Sequence, residues 1–211
     1  MSLLQSFSGQ VVTHGTLQSV LTGYKAPNFK IHRWLHEGRL LSLKKGLYAV
    51  VPQQTGQFIS LPLVANQLHG PSHVSLEFAL FHYGLIPEAV AQVTSVTTKR
   101  GKQFDTPLGR FSYQRLPVNY YAKGIRYIRE TATQAYMMAS PEKALCDWLA
   151  LTPNLKLYSI KGLSTLLLDD MRMDIAGLQG LDPAFIRQLA GLGFRSNRMS
   201  LLADFMESLS C

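Results

Sequence analysis

Asn28, Lys30, His32 and Arg33 crowd into one short run of the chain. At about 100° per residue, Phe29, His32, Arg33 and His36 share one helix face, opposite an apolar stripe of Ile31, Trp34 and Leu35. A helix of that kind can enter a major groove. There Arg33 can pair bidentately with guanine and Asn28 with adenine. Asn28, following Pro27, is equally suited to capping the helix. His32 and His36, four apart, also invite a metal reading. Two imidazoles with no third ligand nearby make a poor site, and a groove-facing histidine more often meets phosphate. Arg39, Lys44 and Lys45 are phosphate candidates, and Gly46 makes the turn that presents the lysines. For each cation a solvated surface charge is the plain alternative.

A second basic cluster comprises Lys99, Arg100 and Lys102, with Arg110 and Arg115 close behind. It suits an extended DNA footprint, an RNA, an acidic partner, or simply an exposed turn. Spacing alone leaves open whether Lys102 and Arg110 share a side with Phe111 and Tyr113.

A common metal-dependent nuclease places an acid two before a lysine, and no acid here stands there. There is no Gly-Ser loop followed by paired acids, as a nucleotidyltransferase needs, and no Gly-rich phosphate loop with lysine. Asp169, Asp170 and Asp174 read as a solvated face. Glu142 and Asp147 are five apart and do not share a helix face. His82 has no visible acid or nucleophile partner. The expectation is a non-enzyme with no cofactor and no metal.

The elements that must position the first group read as a winged helix-turn-helix over residues 1–52. Leu3, Leu4 and Phe7 predict a short helix, Val11-Val12 a strand, and Thr16 caps a helix over 17–21. The groove helix follows from Asn28 to its stop at Gly38. Leu41 and Leu43 then alternate with Ser42 and Lys44, and Leu47 to Val51 returns as a second strand. Residues 53–58 read as a linker.

The remainder, 59–211, reads as an α+β domain with a helical C-terminal part. Leu61 to Leu68 is an apolar helix stopped by Gly70-Pro71, and Ser75 caps another from Leu76 to Tyr83. Val93 to Met138 reads as strands, with a turn over 104–109. Connections too short for helical crossovers predict a mostly antiparallel sheet. Ser140 caps a helix with Pro141 at its first position, and further helices follow to residue 209.

The charge of +8 is unevenly spread. Residues 1–51 carry six Lys/Arg against Glu37, residues 52–132 eight against four, and residues 133–211 seven against eight. A basic excess confined to the first two thirds suits a polyanionic partner, although a pI of 9.6 also serves solubility alone. Cys146 and Cys211 imply no disulfide framework, which fits a reducing cytoplasm. The N-terminus lacks the pattern of a signal peptide, and no apolar run approaches the ~20 residues that span a bilayer.

Several motifs together resemble one known family. They are 74–80 (VSLEFAL), 82–88 (HYGLIPE), 94–100 (TSVTTKR), 104–111 (FDTPLGRF) and 140–147 (SPEKALCD), with 45–48 (KGLY) in the hairpin. In this order they resemble the AbiEi-type antitoxins of bacterial abortive-infection, type IV toxin–antitoxin systems. The likeness covers about residues 10–150 and is only a general helical similarity beyond 155. It implies a winged domain that binds inverted repeats in its own promoter and represses it. It also implies a second domain with antitoxin activity against a nucleotidyltransferase-like toxin, a functional partner and not necessarily a bound one. Two other readings stand beside it: a winged-helix regulator whose second domain senses a small molecule or protein, and a nucleic-acid-processing enzyme with a dispersed site.

Overall fold

The computed structural model describes residues 3–52 and 58–209. Its chain is a mixed α+β fold. The N-terminal module runs from a 3-10 turn (Gln5–Phe7) through β1 (Val11–Thr13), α1 (His14–Val20), α2 (Pro27–His36), β2 (Leu40–Lys44) and β3 (Leu47–Val50). Its strands form an antiparallel sheet in the order β1-β3-β2, with Val11 opposite Ala49 and Leu40 opposite Val50. Leu17, Leu21, Ile31, Trp34, Leu40 and Val50 close a small core beneath it.

Two helix starts differ from expectation. Thr13, not Thr16, caps α1: its extended backbone lets Oγ1 accept from the Thr16 amide at 3.1 Å, so the helix begins three residues early. In α2, Pro27 takes the first turn, where its missing N–H is no loss, and Ala26 occupies the cap position. Asn28 therefore lies inside the helix. Its Oδ1 accepts from Gln18 Nε2 at 3.2 Å and ties the two helices together.

The body begins with α3 (Leu61–Leu68), whose cap Ser60 accepts from Leu63 N, as the Ser-to-apolar transition demands. Then come β4 (Ser72–Val74), α4 (Leu76–His82), β5 (Val93–Thr97), β6 (Lys102–Thr106), β7 (Gly109–Arg115), α5 (Val118–Tyr121), β8 (Ile125–Arg129) and β9 (Ala135–Ala139). The helical part follows as α6 (Pro141–Leu151), α7 (Ile160–Ser164), a π-helical turn Thr165–Asp170, α8 (Ile175–Gln179), α9 (Pro183–Ala190) and α10 (Ser196–Leu209).

Among the described residues the body's strands form one sheet in the order β6-β7-β5-β4-β9-β8. Three of its five pairings are antiparallel, as expected, but the sheet is mixed: β5 pairs with β7, and β4 with β9, in parallel. The return between β5 and β7 is not a helix but β6, which lies outside β7 and leaves a place for it beside β5. A strand thus does the work of a crossover. The turn expected over 104–109 shrinks to Pro107-Leu108, because Phe104, Asp105 and Thr106 pair across to β7.

The two parts touch. Leu43, Leu47 and Ala49 of the N-terminal hairpin belong to the body's core, not to the module's own. Gln134 Nε2 donates to both Gly9 O and Phe58 O. Gly9 sits there with φ +73, and a Cβ on it would meet Phe58 O at 2.7 Å, so only glycine fits. The expected linker falls largely on residues 53–57, outside those described. No helix among the described residues is long and apolar enough to cross a membrane.

Candidate nucleic-acid interface

The outer face of α2 is open. Asn28, Phe29, His32, Arg33 and His36 are exposed, while Ile31 and Trp34 are buried on the opposite side. The amphipathic spacing fixes this orientation, because burying the Ile31–Trp34 stripe turns the polar residues outward. Phe29, which its spacing placed on this face, is 74% exposed. An aromatic ring at the front of such a helix suits contact with a thymine methyl.

The cations of this face are not all equally available. Arg33 Nε binds Glu37 Oε1 at 2.6 Å in an exposed i, i+4 pair, which is a weak tie in water. Glu37's carboxyl is held below its ordinary range, first by the Arg33 hydrogen bond. Lys30 is only half-exposed, with its Nζ 5.5 Å from the Trp34 ring centroid and 5.7 Å from that of Tyr24. Arg39 is also half-buried, against Trp34 and 3.7 Å from Glu37, so it braces the end of α2 more than it reaches outward.

The hairpin tip divides its two lysines. Gly46 takes φ +76, a left-handed turn that a side chain would strain, and its carbonyl accepts from His14 N. Lys45 projects into solvent. Lys44 instead bends to the body and donates to the Leu68 carbonyl at the end of α3. Partial burial, then Lys102 and Lys99, depress its pKa.

The second basic cluster separates into two parts. Lys99 donates to Gly70 O, and Lys102 lies 4.8 Å from the Phe104 ring centroid, so both gather beside Lys44 around the C-terminal end of α3. Carbonyls at a helix C-terminus favour cations, which explains why three lysines tolerate one another there. The Arg100 carbonyl contacts His69 Nε2 at 3.1 Å. The β6–β7 register puts Lys102 on the side of Phe111 and Tyr113, and Arg110 on the other side with Asp105, to which it binds at 3.2 Å. Arg110 therefore does not join the lysine group. Arg115, exposed at the far end of β7, lies on the Tyr113 side.

A buried polar group was not anticipated. Ser75 Oγ donates to Asp147 Oδ2 at 2.6 Å, and Lys143 Nζ pairs with Asp147 Oδ1. The Tyr120 ring lies 4.2 Å from Lys143 Nζ. Ser75, Lys143 and Asp147 are wholly buried. Ser75 was expected to cap α4, yet its side chain makes no cap bond; the Phe78 amide in the first turn donates instead to Thr94 Oγ1 at 3.1 Å. Leu76 holds φ +61 beside Ser75, so the turn into α4 carries strain that the Ser75–Asp147 bond helps to hold. Burial raises the Asp147 carboxyl and the Cys146 thiol above their ordinary values. The group ties the start of α4 to α6. The pairing of Lys143 with Asp147 at i, i+4 was open to sequence reading. The link to Ser75, far away in the chain, was not.

Among the described residues no three His, Cys, Asp or Glu side chains converge as a metal site, and His32 and His36 stand without a third ligand. No model of a known protein family matches the chain, and no curated protein does.

Proposed function

We propose that the chain is a DNA-binding autorepressor and antitoxin of a type IV toxin–antitoxin system. The observation that carries this reading is the exposed outer face of α2 beside a hairpin that projects Lys45. The order β1-α1-α2-β2-β3, with its three-stranded sheet, supports reading the module as a winged helix-turn-helix. In that role α2 enters the major groove, with Asn28, Phe29, His32 and Arg33 facing base edges, while Lys45 meets the flanking backbone. Lys44, Lys99 and Lys102 add a positive field beside the hairpin. The ordered motifs shared with AbiEi-type antitoxins support the rest: inverted repeats in the chain's own promoter as target, a cytoplasmic setting, and a nucleotidyltransferase-like toxin as functional partner.

The test is a gel shift on the DNA upstream of the gene, at several salt concentrations. Arg33→Ala should lose about 1–3 kcal/mol of preference for the operator over random duplex. Lys45→Ala should weaken all duplexes alike and reduce the salt slope by about one. Unchanged binding in both variants would overturn the assignment of the face.

A further inference from the structure

The part of the chain with no basic excess contains its own concentration of positive charge. A cleft of about 420 Å³ lies between the connection from α6 to α7 and the start of α10. This is within the range of ligand pockets, roughly 300–1,000 Å³. Lys156 and Tyr158 stand on one wall, and Arg195, Ser196, Asn197 and Arg198 on the other. No acidic side chain lines it.

The site is built, not a chance meeting of loops. Arg198 donates to the carbonyls of Leu149 and Thr152 through Nη1 and to that of Leu155 through Nη2. These bonds fasten the connection against α10 and fix where Lys156 and Tyr158 begin. They engage Nη1 and one N–H of Nη2 with neutral carbonyls, so the guanidinium's charge meets no carboxylate. Burial, then the neighbouring Arg195, lower the Arg198 pKa. Lys156 and Arg195 are exposed and form no ion pair among the described residues. Acids of the same region are engaged elsewhere: Asp204 and Glu207 both bind Arg187. Three cations thus face one concavity without a counter-charge, an arrangement that an anion relieves. Tyr158, 87% exposed at the rim, supplies a flat aromatic surface beside it.

We propose that this cleft binds a nucleotide, with its phosphate between Lys156, Arg195 and Arg198 and its base stacked on Tyr158. Guanidinium and ammonium groups match phosphate oxygens, and aromatic rings stack bases of any sequence. Ser196 and Asn197 add neutral donors and acceptors for the ribose. A free nucleotide and the 5′-phosphorylated end of a single strand present the same chemistry here. The site is separate from the α2 face and does not depend on its role.

The experiment is calorimetric titration of the full chain with ATP, inorganic phosphate, adenosine and a short 5′-phosphorylated single strand. Variants are Lys156→Ala/Arg195→Ala, Tyr158→Ala and, as a control for the DNA-facing surface, Lys45→Ala. Wild type should bind one ATP saturably. The double variant should weaken ATP by about 10- to 100-fold, as lost charge-assisted contacts do. Tyr158→Ala should weaken ATP but leave inorganic phosphate unchanged, and Lys45→Ala should change neither. Competition of the phosphorylated strand with ATP would identify the strand end as ligand, and its failure to compete a free nucleotide. All the substituted residues are exposed, and thermal melting checks that the variants remain folded. No saturable ATP binding at millimolar concentration, ATP binding unaffected by the cleft variants, or loss only in Lys45→Ala would overturn the proposal.

Discussion

Lys44 and Leu68 join the N-terminal hairpin to the body: the lysine Nζ donates to the main-chain carbonyl at the end of α3. Its neighbour Lys45 makes no such contact and points outward. Two adjacent lysines at one hairpin tip therefore have different work.

This predicts a separation of effects. Lys44→Ala should lower stability by about 1–2 kcal/mol, since a hydrogen bond from a charged donor is lost. Lys45→Ala should leave stability within about 0.5 kcal/mol, as exposed substitutions do. Urea unfolding midpoints of the two variants settle the matter, and equal shifts would remove the distinction.

Glu37 competes with any phosphate for Arg33. If α2 meets DNA as proposed, Glu37→Gln should release the guanidinium and remove a negative charge from the outer α2 face, so duplex binding should tighten, most at low salt. Stability should change by no more than about 0.5 kcal/mol, because the pair is exposed. Binding isotherms that weaken on this change would show that Glu37 positions Arg33 instead of restraining it.

The buried Lys143–Asp147 pair makes the opposite kind of prediction. Asp147→Asn or Lys143→Met alone leaves one partner buried without its counter-charge, at a cost of about 3–5 kcal/mol. The double change Lys143→Met/Asp147→Leu should recover much of that loss, because both charges go together. A double-mutant cycle in guanidinium measures the coupling. Strict additivity would mean the two charges do not depend on one another.

His73 gives a pH dependence. Its imidazole is buried against the Tyr121 ring, neither ring nitrogen has a hydrogen-bond partner among the described residues, and burial, then Lys143, push its pKa down to about 3. Between that value and the ordinary 6.5, the unfolded chain takes up a proton here and the native chain does not. The native state is thus at no disadvantage above 6.5 and loses stability on acidification towards 3. The slope from this residue is at most about 1.4 kcal/mol per pH unit. His73→Phe should flatten that portion of the stability–pH curve, and the wild-type-minus-variant difference cancels Asp147, Glu142 and other titrating groups. Parallel curves would mean that His73 is not neutral in the fold.

How much was readable beforehand followed the range of the interaction. Helix ends set by local chemistry emerged well: α3 runs from Leu61 to Leu68 as its pattern predicts, and Ser140 caps α6 through the Lys143 amide. Local signals failed where two residues competed for one role, as Thr13 displaced Thr16 and Pro27 displaced Asn28. They failed again where a distant residue took the role of a near one, as Thr94 Oγ1 accepts the Phe78 amide that Ser75 was expected to cap. β4 is only three residues long, too short for alternation to register, and its burial comes from neighbours on both sides. The parallel pairing of β5 with β7 needed the position of β6, which spacing does not encode. In the candidate site, the outward side of α2 was visible from its periodicity. The parting of Lys44 from Lys45, and of Arg110 from Lys102, was not, because a strand's polar residues do not announce which neighbour they will meet.

The amide of Gln134 grips the backbone at Gly9 and at Phe58 together. Two points of the chain on either side of the module's helices are thereby moored to the same post, a side chain from the turn that leads into β9. The angle between α2 and the rest of the molecule is then set by this anchorage, by the Lys44 tether and by Leu43, Leu47 and Ala49 packed into the body's core. The length of the covalent bridge between Pro52 and Phe58 has little say in it, since lengthening a closed loop costs only slowly growing entropy. Any duplex seated on α2 accordingly inherits its direction across the body from a glutamine far along the chain.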